Sequence, residues 1–207
     1  MSAPYNDEDT RGISVFKEAK LIDYFKLCHA HNMDFAIHAI GDQGVEDILN
    51  ALEKSSDEKT RAKRRHSIIH AQLARPDQIT RMHALNVGAQ TQPIFLNSDI
   101  AILEKKLGKT RAEQSYLFHS MYLSGMLTSI STDAPVEDSN PFENLYISMT
   151  RKSIKDAHLE AHNINESFSL SEALDAYTHK PAHFMYLEDS LGLLKAGYKA
   201  DFITVDN

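Results

Sequence analysis

The chain has 207 residues, 42% hydrophobic and 25% charged, the balance of a globular protein long enough to bury a core in one or two domains. Its formal net charge of -7 disfavours nucleic acid or an acidic membrane as partner, because both require a basic face. One cysteine, Cys28, excludes an intramolecular disulfide and a CxxC metal clip, and no apolar run approaches the ~20 residues of a membrane span.

Residues 1–12, MSAPYNDEDTRG, read as a polar entry loop. They lack the basic and apolar regions of a secretory signal, so a cytoplasmic location is expected. From Ile13 to His31 the pattern is helical, with Leu21, Ile22, Phe25 and Cys28 on one apolar face, which predicts a buried structural thiol. Asn32 is a plausible stop. Phe35-Ala36-Ile37-His38-Ala39-Ile40 reads as a buried strand broken by Gly41-Asp42, and Val45 to Leu52 resumes a helical pattern.

The unit then repeats. Ser67-Ile68-Ile69-His70 is a strand, and Pro76 opens a helix to about Leu85. Val87 to Thr91 is a strand ended by Pro93, followed by helical stretches around 100–107 and 114–123. Leu127 to Ser131 is the fourth strand, TDAPVEDSNP a loop, and Phe142 to Arg151 a helix. Residues 152–168 are polar and irregular. Ser169 and Glu172 form a capping box for a helix over Leu170–His179, and Pro181 starts another. The tail ends in an alternating strand, Asp201 to Asp206.

Strand and helix alternation implies parallel βαβ units, here four strands near 35–40, 67–71, 87–92 and 127–132. His38, His70 and Asp133 each lie at or just past the C-terminal end of one of them. A (β/α) barrel keeps its chemistry on that face. Two imidazoles and a carboxylate there are the raw material of a hydrolytic zinc site.

Each residue also has a plainer role open to it. His38 suits a core histidine bonded to backbone, and Asp133 suits a turn or a helix cap before Ala134-Pro135. Alternation puts His66, Ile68 and His70 on one face, so either histidine can ligate while the other supports it. His70, nearer the strand end, is better placed. Only the joint pattern lifts the three above these roles. Asp42 is a candidate to orient His38 or bind a substrate amine; Gln92 and Asn97 flank the third strand end and are candidate substrate contacts. His29 and His31, His158 and His162, and His179 and His183 read as solvated surface residues, none in an HExxH arrangement. Phosphate-cradling GxxxxGK[ST] and GxGxxG elements are absent, as is the GxSxG of serine hydrolases.

The segments IHAIGDQGVEDILNALE, RHSIIHAQLARPDQITRMHALNVGAQTQP, STDAPVEDSNPFENLYISMTRK, SLSEALDAYTHKPAHFM and GLLKAGYKADFITVDN occur in that order. Together they resemble the second half of a metal-dependent amidohydrolase of the YtcJ-like branch, amidohydrolase family 3. The resemblance implies an α/β fold: the C-terminal half of a TIM (β/α)8 barrel, about strands five to eight, over residues 1–188. Residues 189–207 would begin a small β-sandwich with a closing strand. It also implies hydrolysis of amide or other non-peptide C–N bonds in a small-molecule substrate, with one or two zinc ions.

In that frame His38 is the metal ligand after strand five and His70 the ligand after strand six. Asp133, after strand eight, is both ligand and general base, with Asp42 and Gln92 near the substrate. The His-x-His of strand one and the strand-four ligand are not in this sequence, and Ile69 stands where many relatives have Glu. This chain alone is therefore expected to bind metal weakly or not at all and to be inactive by itself. Its open strand edges call for a second copy or a separate N-terminal half. The alternative reading is a truncated, catalytically incomplete domain with a binding or regulatory role, or a metal-binding module that uses His38 and His70 alone.

Overall fold

Short apolar runs between helices pair side by side into one sheet. In the computed structural model, which describes residues 1–205, the strands are β1 (Ala36–Ala39), β2 (Ser67–His70), β3 (Gly88–Thr91) and β4 (Thr128–Ile130). All neighbours are parallel and the order is β1-β2-β3-β4, so each connection is a helical crossover. The register sets His38 opposite Ile69 and Ala39 opposite His70.

The helices are α1 (Glu18–Ala30), α2 (Asp42–Ser55), α3 (Glu58–Arg61), α4 (Pro76–Ala84), α5 (Leu96–Asp99), α6 (Leu103–Leu107), α7 (Lys109–Glu113), α8 (Phe118–Leu123), α9 (Pro141–Thr150), α10 (Leu170–Tyr177) and α11 (His179–Phe184). In α2 the i, i+3, i+4, i+7 set Val45, Ile48, Leu49 and Leu52 is buried, the stripe a helix needs to lie on a sheet. Local chemistry fixes the helix starts. Pro76 opens α4, where the Arg75 N–H donates to Gln78 Oε1 at 3.1 Å. Asn140 Oδ1 accepts the Phe142 N–H at 3.0 Å ahead of α9. The Ser169–Glu172 box closes reciprocally, at 2.8 and 3.3 Å, as the sequence predicts.

Several expectations need correction. The first helix begins at Glu18, not Ile13; Ile13 and Val15 project into solvent because no element covers them. Cys28 is half-buried, since its turn of α1 lies at the margin of the packed face. The stretch expected around 100–107 narrows to α6, and the one over 114–123 to α8, with the unforeseen α7 before it. Pro181 is the third residue of α11, which begins at His179. Residues 201–205 form no strand and are exposed, having no neighbouring strand to pair with among the described residues; Asp206, the last of the expected strand, lies outside them.

Two features bear on function. Among the described residues, β1 pairs only with β2 and β4 only with β3, so neither outer strand has a second strand partner, but β4 is buried throughout and only the β1 side is open. On β1, Ala36 and His38 are exposed. No helix among the described residues is long and apolar enough to cross a membrane.

Candidate metal and hydrolase site

The end of β2 departs from strand geometry at the residue that matters. Pairing by register would turn His70 away from His38. Instead His70 has φ 76° and Ala71 φ 50°, left-handed values that side chains seldom adopt. The His70 ring then lies 4.4 Å, centroid to centroid, from the ring of His38, at 75° to it. Asp133, just past β4, is left-handed too, with φ 56°. Unfavourable backbone at two of the three candidate residues is the kind of strain that gathers at functional sites.

The environment of His70 fixes its tautomer. Gln92 Nε2 donates to Gln90 O at 3.1 Å and to Ser131 Oγ at 3.0 Å, which leaves Gln92 Oε1 to face His70 Nδ1 at 2.8 Å. An amide oxygen can only accept, so Nδ1 carries the proton. The Nε2 lone pair is thereby free, and it stands 4.0 Å from Asp133 Oδ2. Burial, then the neighbouring His38, lowers the His70 pKa, which favours the neutral ring that a metal requires.

The support behind this pair comes from a residue not foreseen. Asn144, fully buried on α9, donates from Nδ2 to Ser131 O at 2.8 Å and accepts the Ile94 N–H at 2.9 Å. It ties the loop after β3 to the loop after β4, and so Gln92 to the segment that carries Asp133. Its sequence signal was a lone Asn on the apolar face of a helix, beside Ile147 and Ser148.

The other candidates separate. Asp42 is occupied: Ser2 donates to it from its backbone N–H (2.9 Å) and its hydroxyl, and the Gln43 N–H adds a third bond at 2.9 Å. Burial alone would raise the Asp42 pKa, but these bonds outweigh it and the net shift is downward. Gln92 holds His70, and Asn97 is buried as the acceptor for Ser153, Ile154 and Lys155. His66 does not share the His70 site. It is buried at the opposite end of β2, where Nδ1 accepts the Phe35 N–H at 3.2 Å and Nε2 meets His29 Nε2 at 2.9 Å. His29 is thus a packed residue, not a solvated one.

The donor types suit a zinc-class ion, but their number and spacing do not complete a site. Two ligand atoms about 2.0–2.2 Å from one tetrahedral ion stand roughly 3.4 Å apart, closer than the 4.0 Å here. Among the described residues no three His, Cys, Asp or Glu side chains converge closely enough to hold a metal.

Comparison with known proteins bears on this arrangement. The chain is 31% identical over 203 residues to YtcJ of Bacillus subtilis (strain 168), named as an amidohydrolase, covering 98% of this chain and 38% of that protein. It is 34% identical over 193 residues to the Arabidopsis thaliana protein LONG AFTER FAR-RED 3, covering 93% and 33%. A crystal structure described as an uncharacterized metal-dependent hydrolase from Pyrococcus horikoshii OT3 superposes with a TM-score of 0.86 at 29% identity, covering 100% of this chain and 41% of that one. The chain thus spans between a third and about two-fifths of the length of these proteins. With its residues 1–207 matched by the model of the amidohydrolase family, the chain belongs to that family.

Proposed function

We propose that the chain is the C-terminal part of the catalytic barrel of a metal-dependent amidohydrolase, which hydrolyses amide or other non-peptide C–N bonds in small molecules. Residues 1–188 supply about strands five to eight of a (β/α)8 barrel, and residues 189–207 begin a small β-sandwich. The observation that carries this reading is the His70 arrangement, with Nδ1 tied to Gln92 at 2.8 Å and Nε2 turned toward Asp133 at 4.0 Å. A ligating histidine is held in this way by a partner on its other nitrogen.

His38 and His70 would each give a neutral imidazole nitrogen, and Asp133 a carboxylate oxygen, to a zinc ion. That ion would supply Lewis-acid polarisation of the scissile carbonyl. Asp133, half-exposed at the mouth of the site, would accept the proton of the attacking water at a carboxylate oxygen. Gln92 holds the His70 ring at the angle this needs. The outer strands β1 and β4 would meet a second copy or a separate N-terminal half, which would also supply the missing ligands.

A second reading is favoured by the absence of a three-ligand cluster among the described residues: a catalytically incomplete domain with a binding or regulatory role. Zinc per chain separates the two, measured after dialysis into metal-free buffer beside a His38→Ala/His70→Ala variant. About one equivalent, lost in the variant, is the result expected if association completes the site. No retained zinc, alone or on addition of an N-terminal half, would leave the incomplete domain.

A further inference from the structure

At the N-terminal ends of the strands, away from His70 and Asp133, lies a cavity of about 580 Å³. Its wall comes from residues 62–66 before β2, 86–88 at the start of β3 and 125–127 before β4, with α11 beside them. Lys63, Arg64, Arg65 and Lys180 line it, with imidazoles that include His83 and His183. No carboxylate of the described residues does so. In a chain with a formal net charge of -7, this is a local reversal of sign.

Carboxylates behind the wall balance part of that charge. Glu188 pairs with Arg65 at 2.5 Å, and Asp175 with Lys180 at 3.3 Å. Lys63 and Arg64 have no carboxylate within ion-pair distance among the described residues. The two terminal nitrogens of Arg64 reach the carbonyl and side chain of Asn32, both at 2.5 Å, but its Nε–H is buried without an acceptor. A buried guanidinium N–H without an acceptor is costly unless something supplies one. The field is felt by neighbouring rings: burial and then the Arg65 charge lower the His183 pKa. A concave wall of one sign concentrates counter-ions. Beside the charges, Tyr186 lies under the Arg65 guanidinium at 3.7 Å, and Met126 adds apolar surface.

We propose that this cavity binds a small organic phosphate, with Lys63 and Arg64 on the phosphate and the Tyr186–Met126 wall against the organic body. A dianion suits two cations that have no carboxylate partner, and with the terminal nitrogens of Arg64 held by Asn32 its Nε–H is the donor left for a phosphate oxygen. The volume falls in the range of small-molecule sites and exceeds what a lone inorganic ion would fill.

Calorimetric titration with phenyl phosphate, with phenol as the uncharged control, tests this on the intact chain. Phenyl phosphate should bind at least tenfold more tightly than phenol. A Lys63→Glu/His83→Glu variant, altered at two exposed side chains, should lose at least tenfold in that affinity with its melting temperature unchanged. Equal binding of phenol and phenyl phosphate, or full affinity in a folded variant, would overturn the proposal. Should the variant not fold, amide spectra of the unaltered protein decide. Phenyl phosphate should shift the Gly88 and Gly125 resonances, and shifts confined to other regions would overturn the site.

Discussion

Gln92 determines which nitrogen of His70 is free: its Oε1 stands 2.8 Å from Nδ1 because its amide is already spent on Gln90 O and Ser131 Oγ. Replacing Gln92 by Ala should therefore release the ring. Long-range proton–nitrogen NMR should show the Nδ1–H tautomer in the parent and a mixture richer in Nε2–H in the variant. In the complete metal-loaded assembly the same change should weaken metal binding by roughly 10- to 100-fold, the usual cost of losing such a partner. An unchanged tautomer in the variant would mean that Gln92 does not set it.

Gly88, at the start of β3, has no room for a side chain. A Cβ there would meet Leu127 O at 2.5 Å and Phe184 Cζ at 2.6 Å. Gly88→Ala should cost on the order of 1–3 kcal/mol in urea unfolding. Shortening Phe184 to Leu in the same chain should restore only part of this, since Leu127 O is backbone and cannot turn aside.

Arg151 is wholly buried and ends α9 in the left-handed region at φ 59°. Its Nε donates to His162 O at 3.0 Å and one terminal nitrogen to Tyr116 O at 3.1 Å, so it joins α9 to the segments before α8 and α10. Burial pushes its pKa down to about 10, which leaves it charged at neutral pH. Arg151→Ala should leave two carbonyls without donors and destabilise by about 3 kcal/mol or more in chemical denaturation.

Acid should weaken the fold well above the carboxylate range. His66 and His162 both have pKa values pushed down to about 4, His66 by burial and then the neighbouring His29, and His162 by burial and then the Arg151 charge. An unfolded histidine takes up its proton near pH 6.5. Between there and about pH 4 the unfolded chain holds more protons, so stability falls as pH falls through that window. Melting temperatures at pH 7, 5.5 and 4.5 should decline, and His162→Gln should remove part of the slope. A flat profile over this window would contradict the burial of both rings.

The unpaired edge of β1, where Ala36 and His38 are exposed, predicts association. Light scattering at micromolar concentration should give a mass above that of one chain, and Ala36→Lys, at an exposed position of β1, should lower it. A monomer that melts cooperatively would show that this sheet is stable with the β1 edge free.

The sequence by itself determined the alternation of strands and helices, the capping box at Ser169, and the placing of His38, His70 and Asp133 at strand ends. These are local: a period of two or three to four residues and a capping side chain act within one turn or one strand. The shared face of His66 and His70 was misread for the same reason, because regular alternation cannot foresee a left-handed φ at the second of them. Tertiary structure alone decided that Gln92 holds His70, that Asn144 braces the loops behind it, that Ser2 occupies Asp42 and that Arg151 is buried. Each of these joins segments distant along the chain, where packing and the demand that every buried polar group find a partner choose the contact.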